Sequence, residues 1–281
     1  MSDFLSRMAR GSEARVAAAR SLESEAALLA RAFTGLRPYP LELGARGFDL
    51  IAEVKRKAPS AGTLATAGDA GPAGAAARAV TYARAGAAAV SVLTEPDSFG
   101  GSLEDLAAVS AAVHVPVLRK DFLVDPYQVL EARAAGASGV LVIVRMLEDA
   151  RLGEMLDAAA RCGLFVLLEA FDAQDLARAG LALRATQTEP VRVVIGVNTR
   201  DLSTLATDRS RLERLRDQLP AGSTAVAESG LETAEDAREV ARLGYRLALV
   251  GSALMRAPDP AALVEQLLVA GREEAARCAS A

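Results

Sequence analysis

The sequence predicts an α/β protein, a (β/α)8 TIM barrel with an N-terminal helical extension, on three observations. From residue 49 onward, short runs rich in Val, Ile and Leu recur without polar alternation, the pattern of parallel strands covered on both faces. Longer stretches of helical period separate the runs. Eight such units occupy about 230 residues, the size of a closed barrel, whereas a doubly wound sheet usually has fewer strands and a less regular count.

Residues 2–33 read as helix, with Leu22, Ala26, Leu29 and Phe33 on one face, and Arg37-Pro38-Tyr39-Pro40 breaks it. About 40 residues cannot easily bury a core of their own, so residues 1–45 are expected to pack as an extension on a barrel domain of residues 46–281. The predicted strands are Asp49–Val54, Ala89–Leu93, Val115–Leu118, Gly139–Val144, Leu164–Leu168, Val193–Val197, Thr224–Ala227 and Leu247–Val250. Helices are expected near residues 73–85, 103–112, 126–136, 148–161, 173–183, 208–218, 233–243 and 260–277. Gly68–Ala77 reads as a loose Gly/Ala/Pro loop after the first strand. Ser102 is expected to cap the helix that follows it, with Asp105 at the capping-box position.

With 281 residues, 51% of them hydrophobic, the chain can bury a sizeable core. The 32 Lys+Arg and 36 Asp+Glu leave a net charge of -4, which excludes global attraction to nucleic acid or an anionic membrane. An anionic ligand therefore requires a local site. Cys162 and Cys278 make no disulfide framework and sit in no Cys/His cluster, so no metal site is expected and a reducing cytoplasm is the expected compartment. No apolar run reaches a membrane span, and the first residues lack the apolar stretch of a signal peptide. His114, the only histidine, lies before the third strand, at the face opposite the strand ends.

In a barrel the catalytic face is where strands end, so the residue closing each apolar run is a candidate. These are Glu53 with Lys55, Glu95, Lys120, Arg145, Glu169, Asn198 with Arg200, Glu228 with Ser229, and Gly251 with Ser252. Residues two apart share a face, so Glu53 and Lys55 point to the mouth, as do Lys120 and Phe122, while Arg119 and Asp121 face the other way. Carboxylates from strands one, five and seven around an ammonium from strand three would shift one another's pKa values, as acid/base chemistry requires. Lys55, Lys57 and Lys120 are the only lysines in a chain that otherwise writes its positive charge with Arg. An ammonium can lose its proton near neutral pH when desolvated, and a guanidinium cannot. The loops Glu228-Ser229-Gly230 and Gly251-Ser252 follow strands seven and eight, where barrels commonly bind phosphate through glycine amides and the start of a short helix.

Several blocks resemble indole-3-glycerol phosphate synthase. They are IleAlaGluValLysArgLys at 51–57, SerValLeuThrGluPro and PheGlyGlySerLeu within 91–103, ProValLeuArgLysAspPhe at 116–122, GluAlaArgAlaAlaGlyAla at 131–137, AsnThrArgAspLeu at 198–202, GluSerGly at 228–230 and ValGlySerAlaLeuMet at 250–255. The resemblance implies a carboxy-lyase of tryptophan biosynthesis acting on 1-(2-carboxyphenylamino)-1-deoxyribulose 5-phosphate, with ring closure, loss of CO2 and water, and no cofactor. By position, Lys120 resembles the general acid and Glu169 the acid/base of dehydration, with Lys55 a rival for one proton transfer. Glu53, Asn198 and Glu228 match the surrounding polar ring. Lys55 and Arg200 match anion-binding positions, Ser229, Gly230, Leu249, Gly251 and Ser252 match the phosphate and ribulose loops, and Phe122 matches a place against the aromatic ring.

The resemblance also implies a small-molecule phosphorylated substrate as partner, no nucleic acid or membrane, and transient contact with other tryptophan-pathway enzymes. Ala58-Pro59-Ser60 departs from the family's Ser-Pro-Ser and is expected to cost one substrate contact, and Phe171 and Thr199 depart elsewhere. Phosphoribosylanthranilate isomerase, the rival barrel enzyme, would not need three carboxylates around Lys120. A catalytically silent barrel has no reason to keep buried like charges that cost stability.

Overall fold

The computed structural model describes residues 3–185, 192–202 and 204–280; the first residue of the predicted N-terminal helix and the two outer ends of the predicted segments lie outside them. Eight parallel strands close a barrel, each hydrogen-bonded to its sequence neighbours and the last to the first. They are β1 (Asp49–Val54), β2 (Ala89–Leu93), β3 (Val117–Lys120), β4 (Gly139–Ile143), β5 (Phe165–Ala170), β6 (Val193–Asn198), β7 (Thr224–Glu228) and β8 (Leu247–Val250). Closure is explicit in the β1–β8 register, where Ile51 pairs with Leu249.

The third strand starts two residues later than its apolar run suggests. Pro116 has no N–H for the ladder, and pairing runs on to Lys120, whose carbonyl accepts from Thr94 N at 3.0 Å. Strands β5, β6 and β7 likewise run through the polar residue that ends each apolar run, Glu169, Asn198 and Glu228.

Alternation along each strand sorts the side chains into two cores. Outward residues such as Leu50, Val90, Val140 and Val166 pack under the helices. Inward residues such as Ile51, Leu118, Leu141, Leu167, Val194, Val226 and Leu249 fill the barrel. Both faces are therefore apolar, which is why the strands lack polar alternation.

Two helices precede the barrel, α1 (Asp3–Leu22) and α2 (Glu25–Thr34), instead of one. Ser24 stops the first and caps the second, accepting from Ala27 N at 3.3 Å. That break resets the helical phase, and the predicted face is overturned: Leu22 is 88%, Phe33 55% and Leu29 46% exposed. The buried positions are Leu5, Met8, Ala9, Ser12, Val16, Leu28 and Ala32. Polar ties seat α1 on the barrel, with Gln128 Nε2 donating to Ser12 Oγ at 2.8 Å and Arg15 to Asp121 at 2.8 Å.

The remaining helices are α3 (Gly71–Arg84), α4 (Pro96–Phe99), α5 (Leu103–Ala112), α6 (Pro126–Ala134), α7 (Asp149–Arg161), α8 (Ala173–Ala185), α9 (Ser210–Leu215), α10 (Ala234–Arg242), α11 (Ser252–Arg256) and α12 (Pro260–Ser280). Most of the predicted loop at 68–77 is thus the first turns of α3. Ser102 caps α5, accepting from Asp105 N at 3.1 Å, but Asp105 turns to Arg56 instead of closing a capping box. Among the elements with no counterpart in the predicted set are the turn α4 and a small hairpin pairing Lys57–Ala58 with Gly62–Thr63.

Candidate active site

A cavity of about 370 Å³ opens at the C-terminal ends of the strands. Its floor is one set of inward side chains from alternate strands, Glu53 on β1, Lys120 on β3, Glu169 on β5 and Glu228 on β7. At this level the interior layer that is apolar deeper down becomes ionic. Lys120 Nζ lies 3.3 Å from Glu228, 3.6 Å from Glu169 and 3.9 Å from Glu53. Lys55 Nζ donates to Glu53 Oε1 at 2.7 Å.

Burial works against the charge on Lys120, but the carboxylates of Glu228, Glu169 and Glu53 outweigh it and raise its pKa above the ordinary lysine value. The carboxylates therefore favour the ammonium form of Lys120, the opposite of a lysine deprotonated by desolvation. Burial also opposes the charge of Glu53, yet Lys55 and Lys120 beside it hold its carboxyl below the usual range. Glu228 goes the other way. Burial, then the charge of Glu169, push its pKa well above that of an ordinary carboxylic acid, against the pull of Lys120. Both oxygens of Glu228 and Oε2 of Glu169 are buried without a hydrogen bond among the described residues, which leaves these acids capacity to bind a ligand or a proton.

Asn198 stands at the end of β6 with its Oδ1 accepting from Arg200 N and from Ser229 Oγ, both at 2.9 Å. With the oxygen engaged twice, its amide N–H groups are the end left for a ligand. Ser229 takes a left-handed backbone, φ 70°, which costs a non-glycine residue energy and is held here by its neighbours. The hydroxyl of buried Thr199 lies 3.0 Å from Ser229 O and 3.1 Å from Glu228 O and donates to this pair, so the departure at Thr199 has a structural use. Arg200, Ser229, Gly230, Leu249, Gly251 and Ser252 all line the cavity, with Ser252 opening α11. A Cβ at Gly251 would come 3.0 Å from Glu53 Cδ and 3.1 Å from Lys55 Nζ, so this glycine serves the ionic floor as well as the loop.

The opposite wall is aromatic. Phe122 meets Phe4 edge-on at 5.8 Å between centroids and Phe99 at 6.0 Å, and all three line the cavity. Phe4 and Phe99 escaped the sequence reading: Phe99 stood in a block read as a helix start, and no local pattern marks Phe4, which α1 brings across the mouth.

Other strand-end residues lie elsewhere. Glu95 caps α4 through the amides of Asp97, Ser98 and Phe99 and pairs with Arg15 at 3.8 Å. Arg145 pairs with Asp172 and Asp175 and lies 4.5 Å over the Phe171 ring. Lys57 is exposed and donates to Asp97 O at 3.2 Å. Ala58 is buried in the hairpin, and of Ala58, Pro59 and Ser60 it is Pro59 that lines the cavity. His114 meets Tyr39 Oη at 3.1 Å through Nδ1, away from the site, and Cys162 is buried at the end of α7. Among the described residues no group of His, Cys, Asp and Glu is arranged to hold a metal ion, and no helix is long and apolar enough to cross a membrane.

A family model described as indole-3-glycerol phosphate synthase matches residues 6–267. A protein of Mycobacterium avium (strain 104) named indole-3-glycerol phosphate synthase is 44% identical over 265 residues, covering 93% of this chain and 92% of its own. One of the same name from Parafrankia sp. (strain EAN1pec) is 45% identical over 230 residues, covering 82% of this chain and 81% of its own. Among solved structures, 3-hexulose-6-phosphate synthase from Salmonella typhimurium superposes with a TM-score of 0.61 at 16% identity, covering 81% of this chain and 100% of its own, a likeness of fold alone.

Proposed function

The chain belongs to the indole-3-glycerol phosphate synthase family, a carboxy-lyase of tryptophan biosynthesis, and from that premise we propose how its residues divide the work. The substrate is 1-(2-carboxyphenylamino)-1-deoxyribulose 5-phosphate. Its aryl ring lies against Phe122, Phe4 and Phe99, and its phosphate lies at Ser229, Gly230, Gly251 and Ser252, with Arg200 and Lys55 as countercharges. Leu249 packs beneath the ribulose, and Asn198 donates to its hydroxyls.

Ring closure forms a bond between the aryl carbon bearing the carboxylate and the ketone carbon, and the ketone oxygen gains negative charge. Lys120 is both the proton donor and the countercharge for that oxygen. Loss of CO2 returns the bonding electrons to the ring, so the protein has only to hold the two carbons together and exclude water. Dehydration then removes the hydroxyl formed from the ketone together with a proton, with Glu169 as acid/base and Lys55 the alternative donor. Glu53 and Glu228 hold the lysines in place, and no cofactor takes part. The carrying observation is the Lys120 ammonium within 3.3–3.9 Å of three buried carboxylates, facing an aromatic wall across one cavity.

This reading treats residues 1–45 as an extension serving a catalytic domain of 46–281. It also places the chain in the cytoplasm, with transient contacts to other enzymes of the pathway. The test is indole fluorescence and CO2 release on adding the substrate to the purified protein without added metal or cofactor. Matched signals are expected, and a folded protein giving neither overturns the reading.

A further inference from the structure

Three glycines stand at inward positions of the barrel wall where a Cβ would collide with a side chain. At the closed end, Gly139 makes room for the Phe165 ring, which is packing. At the mouth the space is taken by acids. Gly251 yields to Glu53, and Gly196, in the middle of β6, yields to Glu228. A Cβ at 196 would lie 3.1 Å from Glu228 Cδ and 3.0 Å from Leu167 Cδ1, and closer still to Glu228 Oε1, inside van der Waals contact.

A glycine inside a buried strand needs a reason, because it gives up packing and conformational order that alanine would supply. The register provides one. Glu228 pairs with Asn198, two residues nearer the mouth than Gly196, while Gly196 pairs with Glu169 on its other side. To approach position 196, the Glu228 carboxyl leans back over β6, one layer deeper, on the line that leads to Glu169. That lean also leaves it 3.3 Å from Lys120.

We propose that Gly196 is a positioning residue of this active site: its missing side chain is the slot in which the Glu228 carboxyl lies beside Glu169 and Lys120. The proposal rests on the synthase reading for its effect on turnover, but not for its geometry. With a methyl group at 196, Glu228 must swing away from the slot, leaving Lys120 with one partner fewer. None of the atoms nearest that methyl group belongs to the phosphate-loop residues Ser229, Gly230, Gly251 and Ser252.

The experiment is a double-mutant cycle read in two ways. Gly196→Ala is expected to lower kcat by about 100-fold with KM within about threefold, the signature of a group that acts on the reacting centre. Glu228→Asp, one methylene shorter, is expected to lower kcat in the wild-type background and to raise it by about tenfold in the Gly196→Ala background, since the shorter acid clears the methyl. A merely structural role of Gly196 gives additive losses instead. Independently of activity, Gly196→Ala is expected to lower the melting temperature, and Glu228→Ala in the same chain to restore most of it. Gly153→Ala, in the middle of α7 with nothing within 4 Å of the added carbon, is the control, expected to leave kcat unchanged and to raise the melting temperature slightly rather than lower it. If Gly196→Ala does not fold, folding of the double variants supports the slot and their failure overturns it. A wild-type kcat in Gly196→Ala, or additivity in both cycles, also overturns it. Absence of synthase turnover in the wild type would sink the functional reading, and the melting-temperature cycle would still decide the slot.

Discussion

Strand β3 carries two buried charge clusters on its two faces, and they are built differently. On the outward face Arg119 donates to Thr94 Oγ1 at 3.2 Å, Gln128 O at 2.8 Å, Glu131 at 3.2 Å and Asp121 at 3.2 Å. Asp121 in turn accepts from Thr94 at 2.7 Å, Arg15 at 2.8 Å and Phe122 N at 2.8 Å. This network is saturated. On the inward face Lys120 has three carboxylates at 3.3–3.9 Å, and three of their oxygens lack a hydrogen bond among the described residues. A saturated buried network holds structure together, whereas an unsaturated one has capacity left for a ligand. One residue along the strand separates the two roles.

The comparison can be broken in several places. Changing the inward cluster without changing its shape, Glu169→Gln is expected to lower kcat by about 100- to 1000-fold while KM stays within about threefold, measured by indole fluorescence across substrate concentrations. An equal loss in KM alone would make Glu169 a binding group. Changing the outward cluster, Arg119→Met leaves buried Asp121 short of a partner and is expected to cost about 3 kcal/mol of stability in urea unfolding, with a folded fraction that turns over normally. A stability loss under about 1 kcal/mol would mean that the saturated network is not structural.

The inward cluster also predicts a pH dependence with a definite sign. Because the folded pKa of Glu228 lies well above its unfolded value of about 4.3, the native state holds a proton that the unfolded state has lost. Its unfavourable ionisation therefore lowers stability as pH rises above about 4.3 toward the folded pKa. Glu228→Gln removes that drain, so its urea midpoint relative to wild type is expected to rise between pH 5 and pH 8. A difference that is flat or falls over this range contradicts the protonated Glu228. The smallest effect belongs to Ala58→Ser: the side chain is buried in the hairpin, so KM is expected to change by less than about twofold. A larger drop would place that hydroxyl on the substrate.

The inward cluster could be read in the sequence because a strand has period two and a barrel strand ends at its catalytic face. Those two rules located Glu53, Lys55, Lys120, Glu169, Asn198 and Glu228, and they sent Arg119 outward, whereas Asp121, just past the end of β3, binds Arg119 and Thr94 and also lines the cavity. The same rules overreached at Glu95 and Arg145, since a strand-end acid can equally cap the next turn and an arginine can reach out to neighbouring loops. The N-terminal face was misread because Ser24 interrupts a run whose helical period otherwise continues. Phe4 was out of reach, because its role comes from where α1 docks, and docking depends on distant ties such as Ser12 to Gln128. Gly196 gave only a hint as a glycine within an apolar run, since what occupies its space comes from another strand.

The most direct measurement is kcat for Lys120→Ala and Arg119→Met side by side with wild type, under conditions where all three are folded. Adjacent residues of one strand should part company: Lys120→Ala is expected to lose about 1000-fold in kcat with substrate affinity kept, and Arg119→Met to remain within about threefold of wild type. Near wild-type turnover in Lys120→Ala, or comparable losses in both variants, would contradict the assignment of the unsaturated inward cluster as the catalytic one.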